Sequence, residues 1–260
     1  MGRAWKIKGR TPVEKEVVLQ VKELTKQYGG LHAVQDVSFV VHKAEVVGLL
    51  GDNGAGKSTL VKMISGVTRP TRGSVFFMGE RVDSTSPREL RERGIETIYQ
   101  DLALADNLGV TANMFLGREQ LHVLLGVTLL DERKMLVQAE KILQRLKINI
   151  SSPRTRVRDL SGGQRQSVAI GRAIFWNAKL IILDEPTAAL GVRERANVLD
   201  LIKSLREQEV SVILISHNLT DVFEVTDRLV VLRRGVKIRE LETKHTTEHE
   251  VVHLMIGSES

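Results

Sequence analysis

Cysteine is absent from all 260 residues. Neither a disulfide nor a cysteine-ligated metal can form, and a reducing compartment is the simpler setting. Long apolar runs are missing as well. Stretches such as KLIILDEP and LHVLLGVTLL fall well short of the ~20 residues a membrane-spanning helix needs, so a soluble chain is expected. The basic opening MGRAWKIKGR is not followed by an apolar stretch and does not read as a secretory signal. Lys6 stands where a myristoylation pattern needs Ser or Thr. No internal repeat, low-complexity segment or long linker is visible, and residues 1–16 read as a polar tail. Blocks of like charge are lacking too. The 38 Lys+Arg and 32 Asp+Glu give +6 and an isoelectric point near 9.6. Bases scattered in this way permit contact with nucleic acid or an anionic membrane without demanding either.

What is present is an ordinary globular composition, 42% hydrophobic and 27% charged, with chain enough for one generous core or a core plus a smaller lobe. VVLQVKEL and VSFVV read as strands, and EVVGLLG as a buried strand that runs into a glycine loop. Lys57 to Ser65 continues as a helix closed by Gly66. SPRE is a capping box with Pro87 at the first helical position, Gly94 ends that helix, and IETIYQ returns as a strand. From about residue 101 to 178 the pattern changes. Met135, Leu136, Ala139, Ile142, Leu143 and Leu146 recur at helical spacing with no clear strand between, which predicts an inserted helical lobe. Then KLIILDEP, a helix from about Val192, VSVILISH, another helix and DRLVVLRRG restore the alternation of a parallel sheet. Arg234-Gly235 suggests a hairpin, and Thr247 with Glu250 a capping box on a last helix.

GDNGAGKS, from Gly51 to Ser58, fits the phosphate-binding pattern G-x-x-x-x-G-K-[ST]. Its glycines let backbone N–H groups curl inward as an anion nest, and the following helix aims its positive end at the same place. Lys57 is expected on the β- and γ-phosphates, and Ser58 on Mg²⁺. The plain alternative, a turn that only joins strand to helix, is disfavoured by the strand–loop–helix context. LIILDEP ends a buried strand on two carboxylates, Asp184 and Glu185, a costly arrangement unless a cation or polar network receives them. Asp184 suits the Mg²⁺ shell and Glu185 an attacking water; an acidic strand end before Pro186 is the alternative. Ser161, Gly162, Gly163 and Gln164 open a further helix as a second phosphate-facing nest. A structural cap explains Ser161 equally well, but does not by itself call for both glycines and the glutamine.

In this order GDNGAGKST, LSGGQ, LIILDEP and ILISH resemble the nucleotide-binding domain of ATP-binding cassette (ABC) proteins, over about residues 17 to 257. The resemblance implies an α/β fold: a P-loop NTPase core with an N-terminal antiparallel β portion and an inserted helical subdomain, as one domain. It implies ATP and Mg²⁺ as ligands, with Gly51, Asp52, Asn53, Gly54, Ala55, Gly56, Lys57, Ser58 and Thr59 around the phosphates. Two domains pack head to tail in that family, so Ser161, Gly162, Gly163 and Gln164 are expected to face the partner's nucleotide. Tyr28 matches the aromatic residue set against adenine, Gln100 the glutamine that senses Mg²⁺ and water, and His217 the histidine at the γ-phosphate. Asn218 is not required by the pattern. Gly191 departs from it, since an aspartate is usual there, and no cross-interface carboxylate is assigned.

EPTAALGVRE and IYQDLALADNLGVTANMFLGRE are similar to the monosaccharide-importing branch of the family, which often fuses two cassettes; only one is present. The expected partners are a second copy of the ATPase subunit, integral membrane permease subunits and, indirectly, a solute-binding protein. The expected place is peripheral, on the cytoplasmic face of the membrane. The rivals are a soluble ABC ATPase acting on nucleic acid or ribosomes, and a cassette for a non-sugar solute. The former usually carries a second cassette with a charged linker or a long coiled coil, neither of which is seen, so nucleic acid is not expected as a partner. His245, His249 and His253 recur every four residues near the C-terminus, where a solvated helix face is the simpler reading than a metal site.

Overall fold

The central parallel strands are short and almost wholly apolar, the pattern of strands covered on both faces. A computed structural model describes residues 15–124 and 126–257; the tail expected at 1–16 lies almost wholly outside them. The chain begins with two long antiparallel strands, β1 (Val17–Tyr28) and β2 (Leu31–His42). The buried strand β3 (Val46–Leu50) leads through the glycine loop into α1 (Lys57–Ile64). Next come β4 (Arg72–Phe77), β5 (Glu80–Arg81), α2 (Pro87–Arg93) and β6 (Ile95–Ile98). The intervening segment carries α3 (Val110–Phe115), β7 (Leu121–Leu124), β8 (Val127–Leu130), α4 (Glu132–Arg145) and α5 (Gly162–Phe175). Alternation then resumes with β9 (Leu180–Asp184), α6 (Val192–Ser204), β10 (Ser211–Ile215) and α7 (Leu219–Val225). The hairpin of β11 (Arg228–Arg233) and β12 (Val236–Glu242) and the last helix α8 (Glu248–Ile256) follow.

One sheet is antiparallel in the order β2-β1-β4-β5; the other runs β12-β11-β3-β10-β9-β6, parallel except for its edge strand β12. Alternation in the parallel strands assigns their two faces. Val47, Leu49, Ile182 and Ile213 pack with α1 and the antiparallel sheet. Val46, Leu50, Ile181 and Leu214 pack with α5, α6 and α7. A third cluster joins Met114 and Phe115 of α3, Met135, Ala139 and Leu143 of α4, and Val168 of α5. The helix α5, opened by the signature stretch LSGGQ, thus belongs to both the lobe and the main sheet.

The expectation that no strand interrupts the lobe is corrected by the hairpin of β7 and β8, which pairs Leu121 with Leu130. Its side chains Leu121, Val123, Val127, Leu129 and Leu130 are exposed. An apolar run with no buried face has no alternation to betray it as strand. The capping box of α2 is formed: Ser86 accepts from the Glu89 N–H and Glu89 from that of Ser86, and Gly94 closes the helix. Thr247 Oγ1 caps α8 by accepting from the Glu250 N–H. His245 lies in the 3₁₀ turn Thr243–His245 before that helix, so the three histidines do not share one helical face. His249 and His253 do, with Nε2 atoms 3.1 Å apart.

Candidate nucleotide-binding and hydrolysis site

In a parallel α/β sheet, ligands bind beyond the carboxyl ends of the strands. Register brings those ends together here: Leu214 of β10 lies beside Gly48 of β3 and Leu183 of β9, Ile215 beside Asp184, and Ile98 of β6 beside Leu183. The loop after β3 has a glycine where no side chain fits. Gly51 has φ +151, and a Cβ on it would stand 2.4 Å from the Leu232 carbonyl oxygen. At Gly56, φ +99, the same atom would stand 2.5 Å from the Ala33 carbonyl oxygen. That position caps α1 without a side-chain bond, and no acidic residue occupies the first turn. The opening N–H groups and the positive end of the helix dipole are therefore left for an anion. Asp52, Asn53, Gly54 and Ser58 are exposed along this edge, while Ala55 is buried and Thr59 half-buried.

Lys57 Nζ folds back over the loop and donates to the Gly51 carbonyl at 2.5 Å and that of Asp52 at 3.1 Å. Burial holds its pKa below the usual lysine value, against the opposing charges of Glu185, Asp52 and Asp184. Burial raises the Asp184 pKa, and the neighbouring Glu185 charge adds to this while Lys57 opposes it. The half-buried Asp184 carboxylate and the exposed Ser58 hydroxyl are hard oxygen donors of the kind Mg²⁺ takes.

Glu185 follows Asp184 with a left-handed backbone, φ +52, a conformation that costs a non-glycine residue about 1–3 kcal/mol unless its surroundings hold it. Its N–H donates to the Ile215 carbonyl at 2.9 Å. Its carboxylate accepts from the His217 N–H at 3.1 Å and lies 2.9 Å from His217 Nδ1. Glu185 is largely covered (19% exposed) while His217 stands in solvent (80%). Gln100 is exposed just beyond β6, and Arg172 of α5 donates to the carbonyls of Leu102 and Ala103, two and three residues further on. Tyr28, 49% exposed, ends the strand whose hairpin partner packs on Gly56, and Lys26 Nζ sits 5.0 Å over its ring.

Ser161 caps α5, accepting from the Gln164 N–H at 3.4 Å, while Gln164 Oε1 accepts from the Ser161 N–H at 3.0 Å. A Cβ on Gly162 would meet Leu190 Cδ2 at 2.8 Å, and one on Gly163 would meet Glu194 Cβ at 2.9 Å. Within one chain, then, Gly163, set against Glu194, and Gln164, in the capping box, also have structural work. No hydrogen bond among the described residues joins Ser161–Gln164 to Gly51–Thr59.

The sequence profile of the ABC transporter family matches residues 34–188, the stretch that holds the glycine loop, the signature and both strand-end carboxylates. The chain belongs to the ABC transporter family. It is 44% identical over 238 residues to the xylose/arabinose import ATP-binding protein of Sulfolobus acidocaldarius, covering 92% of this chain and 93% of that one. Identity is 41% to the fructose import ATP-binding protein of Rhizobium meliloti, covering 94% and 95%. The ribose import ATP-binding protein of Caldanaerobacter subterraneus is 36% identical over 94% of this chain, which spans 48% of that longer protein. Among solved structures, a nucleotide-free ATP-binding cassette from an ABC transporter superposes with TM-score 0.76 at 27% identity, covering 92% and 95%. A dimeric cassette in a post-hydrolysis state, bound to ADP and Pi, gives 0.72 at 25%, covering 88% and 100%.

The cassette also contains a polar network that motif reading missed. Asp221 of α7, 1% exposed, accepts from Thr187 Oγ1 at 2.6 Å and from Arg195 Nε of α6. Arg195 further donates to Asn218 Oδ1 at 3.2 Å, and Asn218 caps α7. Asn and Asp at the start of a helix read as ordinary capping, so nothing local marked them.

Proposed function

We propose that this cassette is the ATP-hydrolysing subunit of a monosaccharide importer. ATP hydrolysis drives solute uptake through separate membrane subunits. The observation that carries the reading is the gathering of glycine loop, Lys57, Asp184, Glu185 and His217 at one edge of the parallel sheet. The sugar assignment is supported by relatives named for xylose/arabinose, fructose and ribose import. Residues Gly51–Thr59 cradle the phosphates through backbone N–H groups, and Lys57 swings from its carbonyl contacts onto them. Ser58 and Asp184, with Gln100, are the Mg²⁺ ligands. When bound, Mg²⁺ neutralises charge on the β- and γ-phosphate oxygens. Glu185 takes the proton of the attacking water, His217 contacts the γ-phosphate, and Tyr28 stacks on the adenine.

A second copy supplies Ser161–Gln164 to the same nucleotide, in keeping with a dimeric cassette of the same fold. ATP favours the closed dimer and its hydrolysis the open one, so the cycle rests on differential stability of two states. The lobe at about 101–178 hands that movement to the permease, which a solute-binding protein loads. No described helix is long and apolar enough to cross a membrane, which suits a peripheral subunit on the cytoplasmic face. Deleting the gene should abolish uptake of one labelled pentose or hexose. A wild-type copy should restore it and a Glu185→Gln copy should not. Unchanged uptake across a monosaccharide panel, with another solute's transport lost, discards the sugar assignment and leaves the ATPase intact.

A further inference from the structure

We infer that Asp221 is a positioning residue for hydrolysis, acting through the loop that carries Glu185. The inference rests on Glu185 being the general base. Between β9 and α6 the chain holds two non-glycine residues in the left-handed region, Glu185 at φ +52 and Ala189 at φ +61. Such conformations persist only where neighbours over-determine them. Thr187 lies between the two. Its hydroxyl donates to the buried Asp221 carboxylate at 2.6 Å, and its carbonyl accepts from the Leu190 N–H at 3.3 Å.

Through Arg195 the same carboxylate reaches the loop that carries the other half of the catalytic pair. Asn218, next to His217, accepts through Oδ1 from the Asp221 N–H at 3.3 Å and from Arg195 at 3.2 Å. Arg195 in turn donates to Asp221. One buried carboxylate therefore ties together the loop of Glu185, the loop of His217 and the first turns of α6 and α7. A carboxylate so covered is tolerated only while its partners stay in place, so it favours a single relative placement of the two loops. At the start of α6, Glu194 accepts from the Gly191 N–H at 3.4 Å. Gly191 occupies its N-cap and has no side chain to offer the first turn.

Two substitutions test the inference by steady-state ATP hydrolysis on the purified chain. Thr187→Val is nearly isosteric and removes only the hydroxyl; Asp221→Asn keeps the shape and removes the charge. Each should lower kcat by about tenfold or more, the scale on which misplacing a positioned group acts. KM for ATP should stay within about threefold, because the phosphate cradle lies on β3 and α1, away from the network. In a Glu185→Gln background the same changes should have almost no further effect on residual turnover, since they act through that side chain. A purely structural role predicts a lower thermal midpoint with equal fractional losses in both backgrounds, and that pattern overturns the inference. So does wild-type kcat in a folded Thr187→Val protein. If Glu185→Gln itself hydrolyses ATP normally, the assignment of the base has failed, and a kcat loss in Thr187→Val then points to another group in the loop.

Discussion

Glu185 and His217 grip each other across the ends of two adjacent strands: Nδ1 lies 2.9 Å from one carboxylate oxygen, and the His217 N–H donates to the other at 3.1 Å. A glutamine at 185 can still accept the backbone bond but cannot take a proton from water. Glu185→Gln is predicted to bind ATP normally and to lose turnover by ~10²-fold or more, the usual scale for a positioned base. Nucleotide titration with single-turnover hydrolysis checks both halves. Turnover near wild type removes Glu185 from the chemistry.

The signature residues lie on the N-terminus of α5 and, among the described residues, make no hydrogen bond to their own chain's glycine loop. The Glu185→Gln form should be monomeric without nucleotide and dimeric with ATP, by light scattering. Adding Ser161→Arg should block that dimer while ATP affinity at the glycine loop is kept. The lost cap costs about 1 kcal/mol, so the doubly substituted protein remains folded. An ATP-bound Glu185→Gln monomer at high protein concentration counts against the shared site.

Asp184 yields a pH-dependent prediction. Burial raises its pKa in the fold above the ordinary aspartate value of 3.8. The folded state thus holds the proton more tightly. That contribution to stability is complete below the unfolded value and is lost as pH rises through the folded one. Above the folded value the buried charge is a cost, so Asp184→Asn should raise the thermal midpoint of the nucleotide-free protein there, with the gain shrinking in acid. Stabilisation by Mg²⁺ and ATP should weaken in the same variant. A gain of equal size at every pH would falsify charge burial as its cause.

In the lobe, Phe115 is fully buried with its ring 4.7 Å from Phe175 and 5.9 Å from Trp176, whose Nε1 donates to the Met114 carbonyl. Phe115→Ala should cost about 3–5 kcal/mol in a urea titration. Val123 on the β7–β8 hairpin is 72% exposed, and Val123→Asp should stay within about 0.5 kcal/mol of wild type. Comparable losses for the two would mean that the hairpin is packed in solution.

Much of this cassette was legible along the chain because its signals are near-neighbour properties. The glycine loop, the pair Asp184-Glu185 at a strand end and the capping box at Ser86 each occupy a few consecutive residues. Their meaning depends on local backbone conformation and on the strand or helix beside them. The alternation of apolar strands and helices announced the parallel sheet in the same way. The sequence alone therefore determined which segments could carry phosphate chemistry. Tertiary structure decided how they meet. The order β11-β3-β10-β9 sets the Glu185 loop beside the His217 loop, and it joins Thr187 and Arg195 to Asp221 over 34 and 26 residues of chain. No local pattern encodes that meeting, because each of the three has an ordinary role where it stands. Only burial of one carboxylate between two loops and two helices, which requires a partner for its charge, turns them into a single unit.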